Sequence, residues 1–155
     1  MGAALFYHLT RSAPETLLPV LIGKSLTAGW RVELRGSSHP AQQRLDQRLW
    51  QGDGFLPHGL AGGPHDQRQP VLLTVAHAGQ APDTPAANGA NCLIAVEGAE
   101  VRVEDCAALA RPCILFNGND PAALERARDQ WRALKGGGIA AEYWSEASGR
   151  WERKQ

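Results

Sequence analysis

Near the middle of the chain lies an unbroken apolar run, Pro70-Val71-Leu72-Leu73-Thr74-Val75-Ala76. An alternating pattern would leave one face of a strand in water, whereas a continuous run of this length is typical of a strand buried on both faces. Strands of that kind belong to parallel sheets that helices cover on both sides. The run therefore predicts a central strand of an α/β domain.

Strand and helix patterns alternate upstream of this run. Residues 4–9 are aromatic and β-prone, and apolar residues recur at three- and four-residue steps over 17–26, as in an amphipathic helix. Two starts fit that helix. Either Thr16 caps it and Pro19 lies in the tolerated first turn, or it begins at Pro14 and bends at Pro19.

A second strand and helix follow. Residues 30–35 alternate apolar and charged side chains, which predicts a half-exposed strand that ends at Gly36. Ser37 or Ser38 is placed to cap a helix over about 40–50. Its expected inward positions are Ala41, Leu45, Leu49 and, as a further candidate, Trp50. Consecutive strands joined by helices imply parallel pairing with right-handed crossovers.

The second half continues the α/β order. Residues 91–96 and 111–116 predict two further central strands, with a short helix or turn over 101–109, and residues 139–144 predict a last strand at the sheet edge. Residues 51–65 and 77–89 are expected to be loops. A chain of 155 residues with 43% hydrophobic content forms one core, so one domain over 1–155 is expected, with a polar tail from about 145.

The clearest helix runs from Asp120 to Lys135. Asp120 can cap it, Pro121 suits its first position, and the glycines at 136–138 end it. At about 100° per residue, an arc of roughly 80° holds its buried stripe. The stripe consists of Leu124, Ala127, Trp131 and Leu134.

Two cations flank Trp131 on this helix. Arg128 and Lys135 project just beyond the stripe, on the side of Leu124. Such an edge could receive a ligand that is both apolar and anionic. Alternatively, Trp131 belongs to the core and the cations form a solvated rim. Spacing alone leaves both interpretations open.

Composition restricts the function. Sixteen basic and sixteen acidic residues cancel, which argues against strong binding of DNA or RNA through a broad phosphate-neutralising surface. Cys92, Cys106 and Cys113 form no Cys-x-x-Cys pair, so reduced thiols are expected rather than disulfides or a zinc site. No apolar stretch approaches the length of a membrane span or a signal peptide. We therefore expect a soluble, cytoplasmic protein that requires no membrane.

An enzyme on the same fold is the alternative. The first strand-to-helix turn, residues 9–14, carries no glycine fingerprint for a nucleotide, and the glycines of 59–63 are followed directly by Pro64. His58 and His65 match no metal-binding spacing. A nucleotide- or metal-dependent enzyme remains the second hypothesis. The first hypothesis is a non-catalytic protein, for which we expect no catalytic residues, metal or cofactor.

Seven motifs occur in a recognisable order. They are Phe6-Tyr7, Gly29-Trp30-Arg31-Val32, Leu45-Asp46-x-x-Leu49-Trp50, Phe55-Leu56-Pro57-His58-Gly59, Gln69-Pro70-Val71-Leu72-Leu73, Ala127-Arg128-x-x-Trp131-x-x-x-Lys135 and Gly149-Arg150-Trp151-Glu152. Together they resemble the chi subunit of bacterial DNA polymerase III holoenzyme, a clamp-loader accessory protein. The resemblance runs from Leu5 to Lys154. It implies a Rossmann-like α/β fold without a bound nucleotide.

The resemblance also implies an adaptor with two partners. One is the acidic C-terminal tail of single-stranded DNA-binding protein, which ends in phenylalanine. The tail site carried over from the family comprises Arg128, Trp131 and Lys135, with Leu124 in the slot, Trp144 or Trp151 as its wall, and Asn117 as a weaker candidate.

The second partner implied by the resemblance is the psi subunit, which joins chi to the clamp loader. Its surface maps onto Trp50, Phe55, Leu56, Pro57 and His58. In this chain the same surface could instead serve another clamp-loader subunit or a helicase.

Overall fold

The computed structural model describes residues 3–51, 57–76, 86–146, 148 and 150–154. The helices within them are α1 (Pro14–Thr27), α2 (His39–Trp50), α3 (Val103–Ala108) and α4 (Pro121–Gly136), and a short 3-10 helix spans Asp66–Arg68. The strands are β1 (Ala4–Leu9), β2 (Val32–Gly36), β3 (Gly59–Leu60), β4 (Val71–Val75), β5 (Cys92–Ala95), β6 (Arg111–Asn117), β7 (Ala141–Ser145) and β8 (Glu152–Arg153).

The described strands form one sheet in the order β3-β4-β2-β5-β6-β1-β7-β8. Neighbours pair in parallel, except that β7 and β8 are antiparallel. The connections that contain α1 and α2 run toward β3, whereas those that contain α3 and α4 run toward β8. Because such crossovers are right-handed, α1 and α2 lie on one face of the sheet and α3 and α4 lie on the other. The predicted α/β class, a mostly parallel Rossmann-like sheet flanked by helices, is confirmed.

Alternate residues of each strand pack against different helices. In β1, Leu9 contacts the cluster that contains Leu18 and Ile22 of α1. Phe6 contacts the opposite cluster, together with Leu134 of α4. Because parallel strands buried on both faces carry apolar residues at successive positions, β4 and β5 are buried along almost their whole length.

The helix starts settle two alternatives. Helix α1 begins at Pro14 and contains Pro19, so the start at Pro14 is confirmed and Thr16 is not its cap. Ser38, rather than Ser37, caps α2, and its side chain accepts a hydrogen bond from the backbone N–H of Ala41 at 3.3 Å.

The inward face of α2 differs from the prediction at its end. Ala41, Leu45 and Leu49 are buried as predicted, but Trp50 is 53% exposed, so its inward placement is wrong. Gln42 is buried instead. Its amide donates hydrogen bonds to the backbone carbonyls of Leu34 and Thr74, at 2.8 and 2.7 Å. The helix thus packs on the sheet partly through a satisfied polar side chain.

The prediction that β2 is half-exposed is wrong. All five of its residues are buried, and Glu33 and Arg35 are 2% and 0% exposed. The alternation separates an apolar face under α1 and α2 from a buried ionic face toward α3. The charged face is buried rather than solvated, because its side chains pair with each other and with Asp105 of α3.

Arg35 is the centre of this ionic face. Its guanidinium donates to Glu33 at 2.9 and 3.2 Å and to Asp105 of α3 at 2.9 and 3.3 Å. It also donates to the backbone carbonyl of Glu100 at 3.0 Å. The Thr74 hydroxyl donates to Glu33 at 2.7 Å. Burial would lower the pKa of Arg35, but its hydrogen bonds to Asp105 and Glu33 hold the pKa above its ordinary value.

Two further boundaries differ from prediction. The last predicted strand, β7, is not the sheet edge, because β8 pairs with it through Trp144 opposite Arg153 and Ser145 opposite Glu152. Within the segment expected to be a loop, β3 adds a short parallel pairing to β4. Short strands of this kind carry too little pattern to be recognised from sequence.

In the described part of the chain, no helix has both the length and the hydrophobicity required to cross a bilayer.

Removing one carboxylate from the buried network is expected to be costly. Asp105→Asn should lower the free energy of unfolding by about 3 kcal/mol, because the buried charge of Arg35 loses one of its two anionic partners. Equilibrium urea denaturation measures this loss. The control is Asp129→Asn, which makes the same change in the exposed 2.9 Å pair with Arg132 and should cost less than about 1 kcal/mol. Equal losses in the two variants would contradict the assignment.

Candidate functional site

Helix α4 is positioned by local signals at both ends. The Asp120 side chain accepts a hydrogen bond from the backbone N–H of Ala122 at 3.0 Å, and Pro121 opens the helix. The helix ends at Gly136, one residue beyond the prediction, and the positive φ of 84° falls at Gly138. The local signals in the sequence therefore account for both ends of the helix.

The predicted stripe of α4 is graded rather than uniformly buried. Ala127 and Leu134 are buried, whereas Leu124 and Trp131 are only partly buried. Trp131 therefore belongs both to the core and to the surface. The two interpretations that spacing left open for this residue are compatible.

A cleft of about 510 Å³ lies between this flank of α4 and strands β1, β6 and β7. We call it the α4 cleft. Its strand side consists of Phe6, His8, Phe116 and Tyr143. The Trp131 ring meets Phe6 edge-on, with 5.2 Å between ring centroids, and meets Tyr143 edge-on at 6.2 Å. The Trp131 ring is thus held by edge-to-face contacts with two rings of the strand side, and the interior of the cleft is aromatic.

The helix side of the cleft supplies positive charge. Arg128 and Arg132 line it beside Leu124 and Trp131. The Arg128 side chain is 59% exposed, and its guanidinium lies 3.7 Å from Glu125. Burial raises the pKa of Tyr143, while the charge of Arg128 acts in the opposite direction, so the guanidinium influences the cleft.

Lys135 lies one turn beyond Trp131. Its Nζ is 5.7 Å from the centroid of the Trp131 ring, a cation–π distance. The structure therefore brings together four of the predicted residues: Leu124, Arg128, Trp131 and Lys135.

Three other predicted residues lie elsewhere. Asn117 is exposed at the end of β6 and lines a second cleft, of about 370 Å³, on the other flank of α4. Trp144 alternates with Tyr143 along β7 and so lies on the opposite sheet face. Trp151 also lies on that face, edge-on to Tyr7 at 5.4 Å. Tyr143, rather than Trp144 or Trp151, lines the α4 cleft.

Tyr143 is held by a histidine of the cleft. Its hydroxyl is hydrogen-bonded to Nδ1 of His8, and the His8 ring stacks on Phe116 with 5.1 Å between centroids. The ring lies so close to Gly118 that a Cβ atom there would stand 1.7 Å from its Nε2. Only glycine at this position leaves space for the histidine.

Sequence reasoning missed all four strand residues of the cleft. One signal was available for Tyr143: residues 139, 141 and 143 are apolar or aromatic, and Glu142 interrupts them. That alternation predicts that Tyr143 faces inward with Ile139, and that Trp144 shares the face of Glu142. The Trp144 indole N–H does donate to Glu142, at 3.2 Å.

The second predicted surface is only partly described. Phe55 and Leu56 lie outside the described residues, and Pro57 is half-buried. His58 is buried, its Nε2 lies 3.1 Å from a carboxylate oxygen of Asp46, and its ring centroid is 4.4 Å from that of Trp50. The exposed indole of Trp50 thus rests on a fixed histidine.

The two histidines that motivated the enzyme hypothesis differ in environment. His65 is exposed beside the 3-10 helix, whereas His58, seven residues earlier, is buried. Over the described residues, no group of three or more His, Cys, Asp or Glu side chains could hold a metal ion. At the first strand-to-helix turn, the backbone N–H groups bind the side chain of Glu146.

A side chain at Gly118 should disrupt the α4 cleft. Gly118→Ala is expected to displace His8 from Phe116 and Tyr143, and such overpacking costs about 1–3 kcal/mol. Thermal unfolding measures the loss, and near-ultraviolet circular dichroism reports the changed aromatic packing. Gly23→Ala is the control, because a Cβ at Gly23 of α1 meets nothing within 4 Å and should be neutral or stabilising. Equal thermal stabilities of Gly118→Ala and Gly23→Ala would show that a Cβ at position 118 does not displace His8.

The comparison with known protein families covers most of the chain. The family model of the DNA polymerase III chi subunit, HolC, matches residues 1–142. A search of curated proteins found no match. The matched span includes α4 and ends one residue before Tyr143. Six of the seven motifs lie within the matched span, and the motif at residues 149–152 lies beyond it. The resemblance is confirmed over residues 1–142, and the chain belongs to the chi-subunit family of DNA polymerase III, whose members are accessory subunits of the polymerase.

Proposed function

We propose that this chi-family chain is a non-catalytic adaptor that binds the acidic, phenylalanine-terminated tail of single-stranded DNA-binding protein and links it to the clamp loader during replication in the cytoplasm. The observation that carries the proposal is the α4 cleft. It combines an aromatic interior with cations along one rim, which matches a ligand that ends in an apolar ring and carries carboxylates.

The interior suits the terminal phenylalanine. A phenyl ring placed among Trp131, Tyr143 and Phe116 would contact aromatic edges and faces rather than water. Leu124 supplies an aliphatic contact on the helix side. Burial of one such ring contributes roughly 2 kcal/mol or more, enough to anchor a flexible peptide when charges assist it.

The rim suits the acidic residues of the tail. Arg128 and Arg132 line the cleft, and Nζ of Lys135 lies 5.7 Å from the centroid of the Trp131 ring. The Arg128 guanidinium can pair bidentately with a carboxylate, whereas Lys135 offers a point charge that already contacts the indole. A local basic rim on a chain of zero net charge fits an acidic peptide better than naked single-stranded DNA.

A second surface of the adaptor is proposed around Trp50. This indole is one of the two large exposed hydrophobic side chains among the described residues, and it is held against His58. Tryptophan is strongly enriched in binding hot spots. We assign this surface to the psi subunit, with another clamp-loader subunit or a helicase as substitutes, and place it on Trp50, Phe55, Leu56, Pro57 and His58.

Peptide titration tests the tail site. A synthetic acidic peptide ending in phenylalanine should bind with a Kd of about micromolar scale at low salt and more weakly as salt rises. Removal of the terminal phenylalanine should abolish measurable binding. Arg128→Ala should weaken binding roughly tenfold, because a charge-assisted contact to the peptide is lost. Isothermal titration calorimetry gives both values.

Arg68→Ala is the matched control for this titration, since Arg68 is also an exposed cation and lies on the 3-10 helix. It should leave the affinity unchanged. Absence of binding at low salt, or an Arg128→Ala affinity equal to that of the wild type, would refute the proposed tail site.

Glu125 should act as an internal competitor of the peptide. Its carboxylate lies 3.7 Å from the guanidinium of Arg128, and both side chains are 59% exposed. An incoming carboxylate must displace it. Glu125→Gln should therefore tighten peptide binding at low salt by roughly two- to fivefold, the range expected for an exposed ion pair.

Fluorescence anisotropy with a labelled peptide measures this gain. Glu15→Gln makes the same charge change on α1, on the opposite face of the sheet, and controls for the net charge of the protein. If both variants tighten binding equally, the effect is long-range and Glu125 does not compete. If Glu125→Gln weakens binding, Arg128 does not bind the peptide through its charge.

A further inference from the structure

The turn between β1 and α1 holds a carboxylate from the other end of the chain. Three successive backbone N–H groups, those of Thr10, Arg11 and Ser12, donate to Oε1 of Glu146 at 2.9, 2.7 and 2.6 Å. The Ser12 hydroxyl donates to Oε2 at 2.8 Å. Glu146 is 5% exposed. One side chain therefore satisfies four donors that would otherwise be partly buried without an acceptor.

The bonds are of the strong, charge-assisted kind. Burial would raise the pKa of the Glu146 carboxyl, but the hydrogen bonds from Ser12, Arg11 and Thr10 outweigh burial and lower it. The carboxylate thus stays ionised at neutral pH. Converging N–H groups of this type form an anion-binding concavity, and in doubly wound proteins the corresponding turn commonly holds a phosphate.

The contact between Glu146 and the turn joins β7 and β1, the two strands that carry Tyr143 and His8 of the α4 cleft. Glu146 directly follows Ser145, which is paired with His8 in the register of β7 and β1. His8 lies two residues before Thr10, and Tyr143 lies three residues before Glu146. The hydrogen bond between Tyr143 and His8 therefore also links β7 to β1, near the ends of these strands that Glu146 holds together.

The turn is also tied to the start of α4. The side-chain amide of Asn119 donates to the backbone carbonyl of Thr10 at 2.9 Å. Asn119 immediately precedes Asp120, the cap of α4. The turn is thus connected to both sides of the cleft, the strand side through Glu146 and the helix side through Asn119.

We propose that Glu146 is a positioning residue of the α4 cleft, which holds the end of β7, and with it Tyr143, against β1 by filling the anion-binding turn at Thr10, Arg11 and Ser12. This inference rests on the proposed peptide-binding function of the cleft. Glu146 lies outside the residues that the family model matches.

The test is rescue by an added carboxylate. Glu146→Ala should weaken binding of the phenylalanine-terminated acidic peptide by roughly tenfold, since several charge-assisted hydrogen bonds no longer hold β7 in place. Sodium acetate should restore part of that affinity in Glu146→Ala, and sodium chloride at equal ionic strength should not. The wild type should respond to the two salts equally. A side chain that only fills space would show no preference for acetate.

Glu152→Ala is the matched control. Its carboxylate belongs to the same C-terminal segment, and the bonds that hold it come from Ser148, Arg150 and Lys154, all in the exposed tail. Its loss should change peptide affinity less than twofold, and acetate should have no specific effect.

The outcomes separate the two proposals. If the wild type does not bind the peptide, both the proposed function and the role of Glu146 are refuted. If the wild type binds and Glu146→Ala binds equally well, or does not respond to acetate, only the role of Glu146 is overturned. Should Glu146→Ala fail to fold, Glu146→Gln keeps the shape and removes the charge. A severalfold loss of affinity in that variant supports the role, and an unchanged affinity overturns it.

Discussion

The buried guanidinium of Arg35 is the group on which the placement of α3 and α4 depends. Helix α3 has only six residues, too few to be stable through its own hydrogen bonds. Asp105 holds it by pairing with Arg35 and by accepting from the backbone N–H of Arg102 at 2.8 Å. The adjoining Val101 exchanges backbone hydrogen bonds with the side chain of Gln130 on α4, at 3.1 and 2.5 Å. A line of polar contacts therefore runs from the interior of β2 to the helix that carries the cleft.

Elements with local signals could be predicted from the sequence, and elements defined by distant partners could not. The cap, first proline and terminal glycines of α4 lie within the helix or next to it, so its bounds were correct to one residue. The alternation of β2 was also recognised, but its meaning was wrong. A charged strand face can be solvated or neutralised internally, and the deciding partner, Asp105, lies 70 residues away. Helix α1 shows the same limit, since two starts fitted its sequence and only the structure distinguishes them.

The helix half of the candidate site followed from spacing, because Leu124, Arg128 and Trp131 are neighbours on one helix flank whatever the tertiary fold. The strand half depends on which of the two alternating sets of side chains in each strand faces α4. A one-residue difference exchanges Tyr143 with Trp144 and moves the side chain to the other face of the sheet. Phe6 and His8 belong to the same set as Tyr143 through the parallel pairing of β1 with β7. No motif in β1 indicates that pairing, so His8 had no signal in the sequence.

The doubly wound fold normally offers its ligand site at the carboxyl ends of its strands, beside the first strand-to-helix turn. In this chain the N–H groups of that turn bind Glu146, and a phosphate would have to displace an internal carboxylate with four hydrogen bonds. The turn lacks the glycine fingerprint, and its N–H groups already have an internal anionic partner. The flank of α4 at the α4 cleft remains accessible, and Trp131 is only partly buried there, with Phe6 and Tyr143 edge-on to its ring. A partly buried aromatic ring flanked by cations can bind a group that is both apolar and acidic.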